Sequence, residues 1–224
     1  MKRNQKVMVS GRCWIVIIFT LSCCVFTFRT VSVYASSPME QVKSRINEII
    51  TILDDTAYRQ SHTKEELNKK IRAIAHRGFD WEEISQRSLG LYWRERTQDE
   101  RKEFTTLFSN LLEDLYIRKV IDNYAGEKVF YDKELIEGNK ALIETRVINK
   151  AGTEVSVGYR VIKKGAEWVA YDMIIEGVSM VKNYRVQFYT IIRQASYSEL
   201  VKKLKDKQLA EPSSSSAKET KAVE

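Results

Sequence analysis

The stretch Trp168–Phe188, WVAYDMIIEGVSMVKNYRVQF, decides the fold of this chain. It predicts a last β-strand from Trp168 to Ile175, a tight turn at Glu176-Gly177 and a helix that begins near Ser179. The strand and the helix each have an apolar face, so an apolar wedge can open between them. The stretch places no obvious catalytic group in that wedge.

The N-terminal residues 1–35 predict a secretory signal peptide that is cleaved after Ala35. A basic segment comes first, and an uncharged apolar run of 15 residues, Trp14–Phe28, follows it. Val33 and Ala35 then supply small residues before Ser36. An uncleaved anchor is the less favoured alternative, because a spanning helix needs about 20 apolar residues. A lipoprotein site at Cys23-Cys24 is a weaker alternative still.

Removal of these 35 residues changes the charge and cysteine content of the chain. The whole chain has a formal net charge of +7, from 37 basic and 30 acidic residues. Five basic residues and no acid lie within residues 1–35, which leaves 32 basic and 30 acidic residues and a net charge of +2. The high pI therefore gives no argument for nucleic-acid binding. All three cysteines also lie in the leader, so we expect no disulfide and no thiolate metal site in the mature chain.

Helix signals dominate the first half of the mature chain. Capping residues at Ser37, Thr63, Asp80 and Thr97 each precede a segment with apolar residues at helical spacing. Two more helices are predicted from Ser179 and Ser196.

The polar run from Leu209 to Glu224 predicts a disordered Ser-rich tail. Residues 36–208 are long enough to form one domain with its own core.

After Gly126 the apolar pattern changes to a period of two, which is typical of strands. Four strands are predicted, at Val129–Tyr131, Ala141–Ile148, Thr153–Ile162 and Glu167–Ile175. Their short connections favour antiparallel neighbours. The predicted fold is α+β: a curled four-stranded antiparallel sheet packed against a cluster of helices, with an apolar cleft between them.

Candidate catalytic and metal-binding residues are few. The mature chain has two histidines, His62 and His76, which lie 14 residues apart and lack the spacing of a metal pair. His76 falls in the last turn of a predicted helix, where it suits the helix dipole. Asp172 and Glu176 are the best general-base candidates. The favoured interpretation is structural: Asp172 pairs with an Arg or turn amides, and Glu176 helps to cap the following helix.

The block around the last strand resembles a known family. Its order of Trp, Tyr-Asp, Glu-Gly-Val-Ser, Tyr-Arg and Gln-Phe is similar to the signature of the MlaC or toluene-tolerance (Ttg2-type) family of periplasmic phospholipid-binding proteins. The resemblance extends from about Met39 to Lys207. The residues that carry it are Phe79, Leu89, Gly90, Trp93, Tyr171, Asp172, Glu176, Gly177, Val178, Ser179, Tyr184, Arg185, Gln187 and Phe188.

This resemblance implies a periplasmic phospholipid carrier without catalytic residues, metal or cofactor, which holds the lipid tails in a dry cleft. It implies two partners: an outer-membrane lipoprotein complex, and an inner-membrane ABC transporter reached through its ring-forming substrate-binding subunit. The carrier is expected to be a monomer that binds no nucleic acid. Predicted cleft residues, matched by apolar or aromatic character alone, are Phe108, Leu111, Leu115, Ile143, Val147, Val155, Val157, Tyr159, Tyr171, Met173 and Val178.

Two other functions stay open at this point. One is a periplasmic adaptor domain that docks to an envelope complex and binds no lipid, because a solid core could use all the apolar faces. The other is an enzyme of a cone-shaped α+β type that uses Asp172 or Glu176 as a base. Lipid that copurifies with the protein would separate the carrier from the adaptor.

Overall fold

The structure is a computed structural model that describes residues 36–207 and Leu209. The predicted signal peptide, its cleavage site and residues 210–224 of the predicted tail lie outside the described residues.

Helices form where the sequence places capping groups. Ser37, Thr63 and Thr97 each accept a hydrogen bond from the backbone of a Glu three residues later, and that Glu bonds back to the capping residue. The sequence missed one short helix, which begins because Asp55 accepts from the Tyr58 amide. The helices are α1 (Pro38–Asp54), α2 (Thr56–Ser61), α3 (Lys64–Gly78), α4 (Trp81–Leu89), α5 (Gln98–Asn123), α6 (Met180–Gln194) and α7 (Tyr197–Lys205), with a 3-10 helix at Gly90–Trp93.

The strands form an antiparallel sheet in the order of the chain. They are β1 (Lys128–Glu137), β2 (Lys140–Ile148), β3 (Glu154–Lys164), β4 (Glu167–Ile175) and β5 (Val178–Ser179). The sheet has five strands within the described residues, not the predicted four, because the two residues of β5 pair with the end of β4. β1 is longer than predicted because it pairs with the whole of β2, through a register shift between Tyr131 and Lys133. The predicted α+β class is confirmed.

The connection from β4 to α6 is the tight turn that the sequence predicts. Glu176 and Gly177 both have positive φ, 50° and 78°, which favours glycine at the second position. Ser179 caps α6 by accepting from the Lys182 amide at 3.0 Å. The predicted capping role of Glu176 is wrong: its carboxylate accepts from the Ser156 amide of β3 instead. The side chain faces the neighbouring strand because Glu176 still lies beside β3.

Among the described residues, buried apolar side chains form three clusters. The first joins α4, α5, α6 and α7, and Phe104, Phe108, Tyr184 and Phe188 pack there in edge and tilted ring contacts. The second lies between α1 and the inner face of the sheet, and the third joins α1, α3 and α5. Leu209, which the sequence assigns to the tail, is 7% exposed in the first cluster. The first cluster therefore includes a side chain that follows the end of α7.

Candidate functional site

A cavity of about 360 Å³ lies between the helices and the sheet. Its walls are α1, α3, the second half of α5 and the inner face of β1–β4. The lining residues are Val42, Arg45, Ile46, Ile49, Ile50, Leu53, Ile71, Ile74, Ala75, Gly78, Phe79, Tyr116, Ile117, Lys119, Val120, Asn123, Tyr124, Glu127, Val129, Val147, Tyr159, Ala170 and Met173. Almost all of them are apolar or aromatic, so the cavity suits a hydrocarbon ligand better than a polar one.

Polar groups are confined mainly to one part of the lining. Lys119 and Asn123 are exposed on the last turns of α5, and Glu127 lies in the loop before β1. Val120 lines the cavity and is 45% exposed, so solvent reaches the apolar wall at this point. We define the mouth of the cavity by Lys119, Val120, Asn123 and Glu127.

The helical walls follow directly from the apolar stripes of the sequence. In α1, Val42, Ile46, Ile49 and Leu53 recur every three or four residues and all face the cavity. The apolar stripe of such a helix is normally buried against other elements. Here the facing elements leave a cavity beside it. Small side chains on α3, at Ala75 and Gly78, contribute to that space.

Polar contacts hold α1 in place over the sheet. Arg45 donates to the Trp168 carbonyl at 2.8 Å and pairs with Glu167 at 2.9 Å, both in β4. At the other end of α1, the Tyr124 hydroxyl donates to Asp54 at 2.7 Å. Burial and the neighbouring Asp54 carboxylate raise the pKa of Tyr124, so the hydroxyl keeps the proton that it donates to Asp54. The wall and the mouth are therefore fixed to each other through α1.

The predicted cleft residues fall into three groups in the structure. Val147, Tyr159 and Met173 border the cavity. Phe108 and Leu111 are 0% and 2% exposed in the first cluster, where Leu115 also packs. The others lie elsewhere in the sheet region and do not border the cavity: Ile143, Val155, Val157, Tyr171 and Val178.

Tyr171 has a specific reason to lie outside the cavity. The β3–β4 pairing shifts register between Arg160 and Val161, and Tyr171 is the residue left without a partner. Its ring packs under the Arg87 guanidinium of α4, 4.4 Å from the ring centre. The side chain thus joins the sheet to α4.

Most of the cavity wall was missed by the sequence prediction of the site. The stripes of α1 and α3 are visible in the sequence, but a stripe alone does not show whether it faces solid core or a void. Val120, near the end of α5, is 45% exposed at the opening of the cavity, and only the structure reveals that exposure.

Asp172 has the structural role that the sequence favours. The residue is 3% exposed, and its carboxylate accepts from Arg160 at 2.9 Å, from the Ser179 hydroxyl at 2.6 Å and from the Val181 amide at 3.0 Å. These bonds satisfy both oxygens and anchor the start of α6 to β4. A carboxylate occupied in this way is poorly placed to accept a proton from a substrate.

Metal-binding groups are not assembled in the part of the chain that the structure describes, where no three His, Cys, Asp or Glu side chains converge. His76 lies in the last turn of α3 and contacts the Glu113 carboxylate at 3.0 Å.

Membrane-spanning helices are absent from residues 36–207. None of the helices there has the length and the apolar character needed to cross a membrane.

Comparisons with known proteins agree with one another. The model of the MlaC protein family matches residues 43–206. The intermembrane phospholipid transport system binding protein MlaC of Haemophilus influenzae is 26% identical over 162 residues, which cover 68% of this chain and 75% of that protein. A phospholipid-binding protein from Ralstonia solanacearum, solved in complex with a phospholipid, has the same fold, with a TM-score of 0.67 at 20% identity. That match covers 77% of this chain and 97% of the Ralstonia chain.

Proposed function

We propose, because this chain belongs to the MlaC family, that it binds a phospholipid in the cavity and carries it between membranes. The tails would lie against α1, α3 and the second half of α5, and the head group would remain at the mouth. One observation carries the proposal: an apolar cavity that opens to solvent beside polar side chains. The Haemophilus relative is named for phospholipid transport, and the Ralstonia protein holds a phospholipid.

The energetics of such a site suit a carrier. Burial of acyl chains releases roughly 0.8 kcal/mol per CH₂ relative to water. The bilayer offers the same gain, so transfer into the cavity is close to balanced only if the cavity is nearly as apolar as the membrane. The lining meets this condition. The direction of lipid transport must then be set by the partners at each membrane, because the affinity of the carrier for lipid is the same at both.

The carrier would act in the periplasm, with docking partners at both membranes. We place it in the periplasm as a monomer, released by cleavage after Ala35. Its docking partners would be an outer-membrane lipoprotein complex and the ring-forming subunit of an inner-membrane ABC transporter. It would bind neither a cofactor nor nucleic acid and catalyse no reaction. The proposal that the protein catalyses no reaction is supported by Asp172, because both of its carboxylate oxygens already accept hydrogen bonds within the protein.

Native mass spectrometry tests the proposal on the full chain, expressed with its leader in a bacterial periplasm. We expect the protein to be heavier than its polypeptide mass, and we expect the bound molecule to extract into organic solvent as phospholipid. We also expect the protein to transfer labelled phospholipid from donor to acceptor vesicles. A bare polypeptide mass that stays unchanged after incubation with vesicles would contradict lipid binding and favour an adaptor. Loading without vesicle transfer would retain the binding and remove the carrier role.

A further inference from the structure

Charged side chains of both signs border the mouth of the cavity. Lys119 and Asn123 lie one turn apart on the same face of α5, and Glu127 follows in the loop before β1; all three line the cavity. The other charged residue of the lining is Arg45, whose guanidinium is paired with Glu167 of β4. A head group that leaves its tails in the cavity therefore meets a cation and an anion as it emerges.

The Glu127 carboxylate is held at the mouth by the backbone of its own loop. One oxygen accepts from the Ala125 amide at 3.0 Å, and the side chain is half-buried. Burial raises the pKa of Tyr124, and the nearby carboxylates of Asp54 and Glu127 add to the effect. Among the described residues, no cationic side chain pairs with Glu127. A partly desolvated anion in this position favours a cation from outside the chain.

A second lysine, Lys150, reaches the same loop from the turn between β2 and β3. Its side chain is exposed and crosses Gly126, the residue before Glu127: the Lys150 Cε lies 3.3 Å from where a Cβ on that glycine would be, and its Nζ lies 3.7 Å from that point. The turn is fixed, because the Asn149 amide donates to the Thr153 carbonyl at 3.1 Å and the Asn149 side chain accepts from the Thr153 amide at 2.9 Å. The mouth therefore has one cation from α5 and another from this turn.

We propose that the mouth recognises the zwitterionic head group of an aminophospholipid such as phosphatidylethanolamine, with Lys119 and Lys150 on the phosphate and Glu127 on the ammonium group. This inference rests on the proposed function and adds the class of head group. The phosphate is joined to the glycerol and so emerges first, and the ammonium group lies beyond it on a short linker. Phosphatidylglycerol offers the lysines the same phosphate but gives Glu127 no cation. Because the mouth is open to water, each ion pair contributes little, and the resulting preference is modest.

Competition between two lipids with identical tails separates head-group recognition from tail burial. The full chain is stripped of lipid and incubated with vesicles of phosphatidylethanolamine and phosphatidylglycerol in equal amounts, and the bound lipids are extracted and counted by mass spectrometry. We expect the unmodified protein to take up phosphatidylethanolamine about threefold in excess. Glu127→Gln should remove that preference and Glu127→Lys should invert it, whereas Lys119→Gln and Lys150→Gln should lower the uptake of both lipids alike. Lys128→Gln is the matched control, because the next residue, Val129, lines the cavity and Lys128 therefore points to the opposite face of the sheet.

Salt provides a second readout that a purely structural role of Glu127 would not move. At about 1 M salt, where charges are screened beyond about 3 Å, the preference should vanish while the apolar tails maintain total uptake. Equal uptake of the two lipids by the unmodified protein, or an unchanged preference in Glu127→Gln, would overturn the inference. Displacement of bound lipid by soluble glycerophosphoethanolamine, which has no tails, would overturn it too and assign the mouth to a soluble phosphate ester. Uptake of neither lipid by the unmodified protein would instead contradict the proposed function itself.

Discussion

At the scale of single residues, charged side chains fix the distance between two walls of the cavity. Arg72 of α3 pairs with Glu113 of α5 at 3.0 Å and also with Asp114, which in turn pairs with Lys207 beyond α7. Glu113 is 4% exposed, and its removal would take one of two carboxylate partners from Arg72 and the carboxylate contact from His76. The network therefore connects α3, α5 and the C-terminal segment.

The dependence of the free energy of unfolding on pH tests the role of Asp114 in this network. Burial by itself would raise the pKa of this carboxyl, but bonds from Lys207 and Arg72 lower it below the usual 3.8. A lowered folded-state pKa stabilises the protein above pH 3.8, and this contribution is lost as the pH falls further. We expect Asp114→Asn to lower the free energy of unfolding by about 1 kcal/mol at pH 7, because solvent screens part of the interaction.

Urea unfolding of both proteins between pH 7 and pH 2.5 measures the effect. The difference between them should shrink below about pH 4. Asp122→Asn is the control, since Asp122 pairs with Lys64 at the surface with a side chain that is 52% exposed. A difference for Asp114→Asn that is constant over the whole pH range would contradict the assigned role of its charge.

At the scale of elements, α5 explains why the sequence predicted the helices better than the site. This helix has 26 residues and serves two clusters. Its first half, with Phe104 and Phe108, packs in the solid core of α4, α6 and α7. Its second half, from Tyr116, lines the cavity. The helical spacing of apolar residues and the capping residues predict such a helix well. They contain no information about which element packs against each of its turns.

Bulk added to α3 tests the assignment of the cavity wall. Ala75 borders the cavity, so Ala75→Trp should fill part of it and reduce the bound phospholipid at least severalfold. Ala73 is exposed on the same helix and does not border the cavity, so Ala73→Trp should retain normal loading. Native mass spectrometry gives the lipid occupancy, and circular dichroism confirms that both variants fold. Equal occupancy in the two variants would exclude this face of α3 from the binding site.

At the scale of the whole molecule, the sequence was most informative where chemistry is local. The turn at Glu176-Gly177, the Ser179 cap and the strand periods all follow from backbone preferences, and the structure contains each of them. The cavity is a property of packing between α1, α3, α5 and the sheet, which lie far apart in the chain. Its position could not be inferred from stripes that look alike in core and cavity walls.

Photocrosslinking is the most direct test of the central claim that phospholipid tails lie in this cavity. The full chain is loaded with a phospholipid that carries a diazirine near the end of one acyl chain, irradiated, digested and mapped by mass spectrometry. We predict adducts within α1, α3 and the part of the sheet that lines the cavity away from the mouth, at Tyr159 and Ala170. Adducts confined to the first half of α5 and to α6, or confined to the outer surface, would contradict the account.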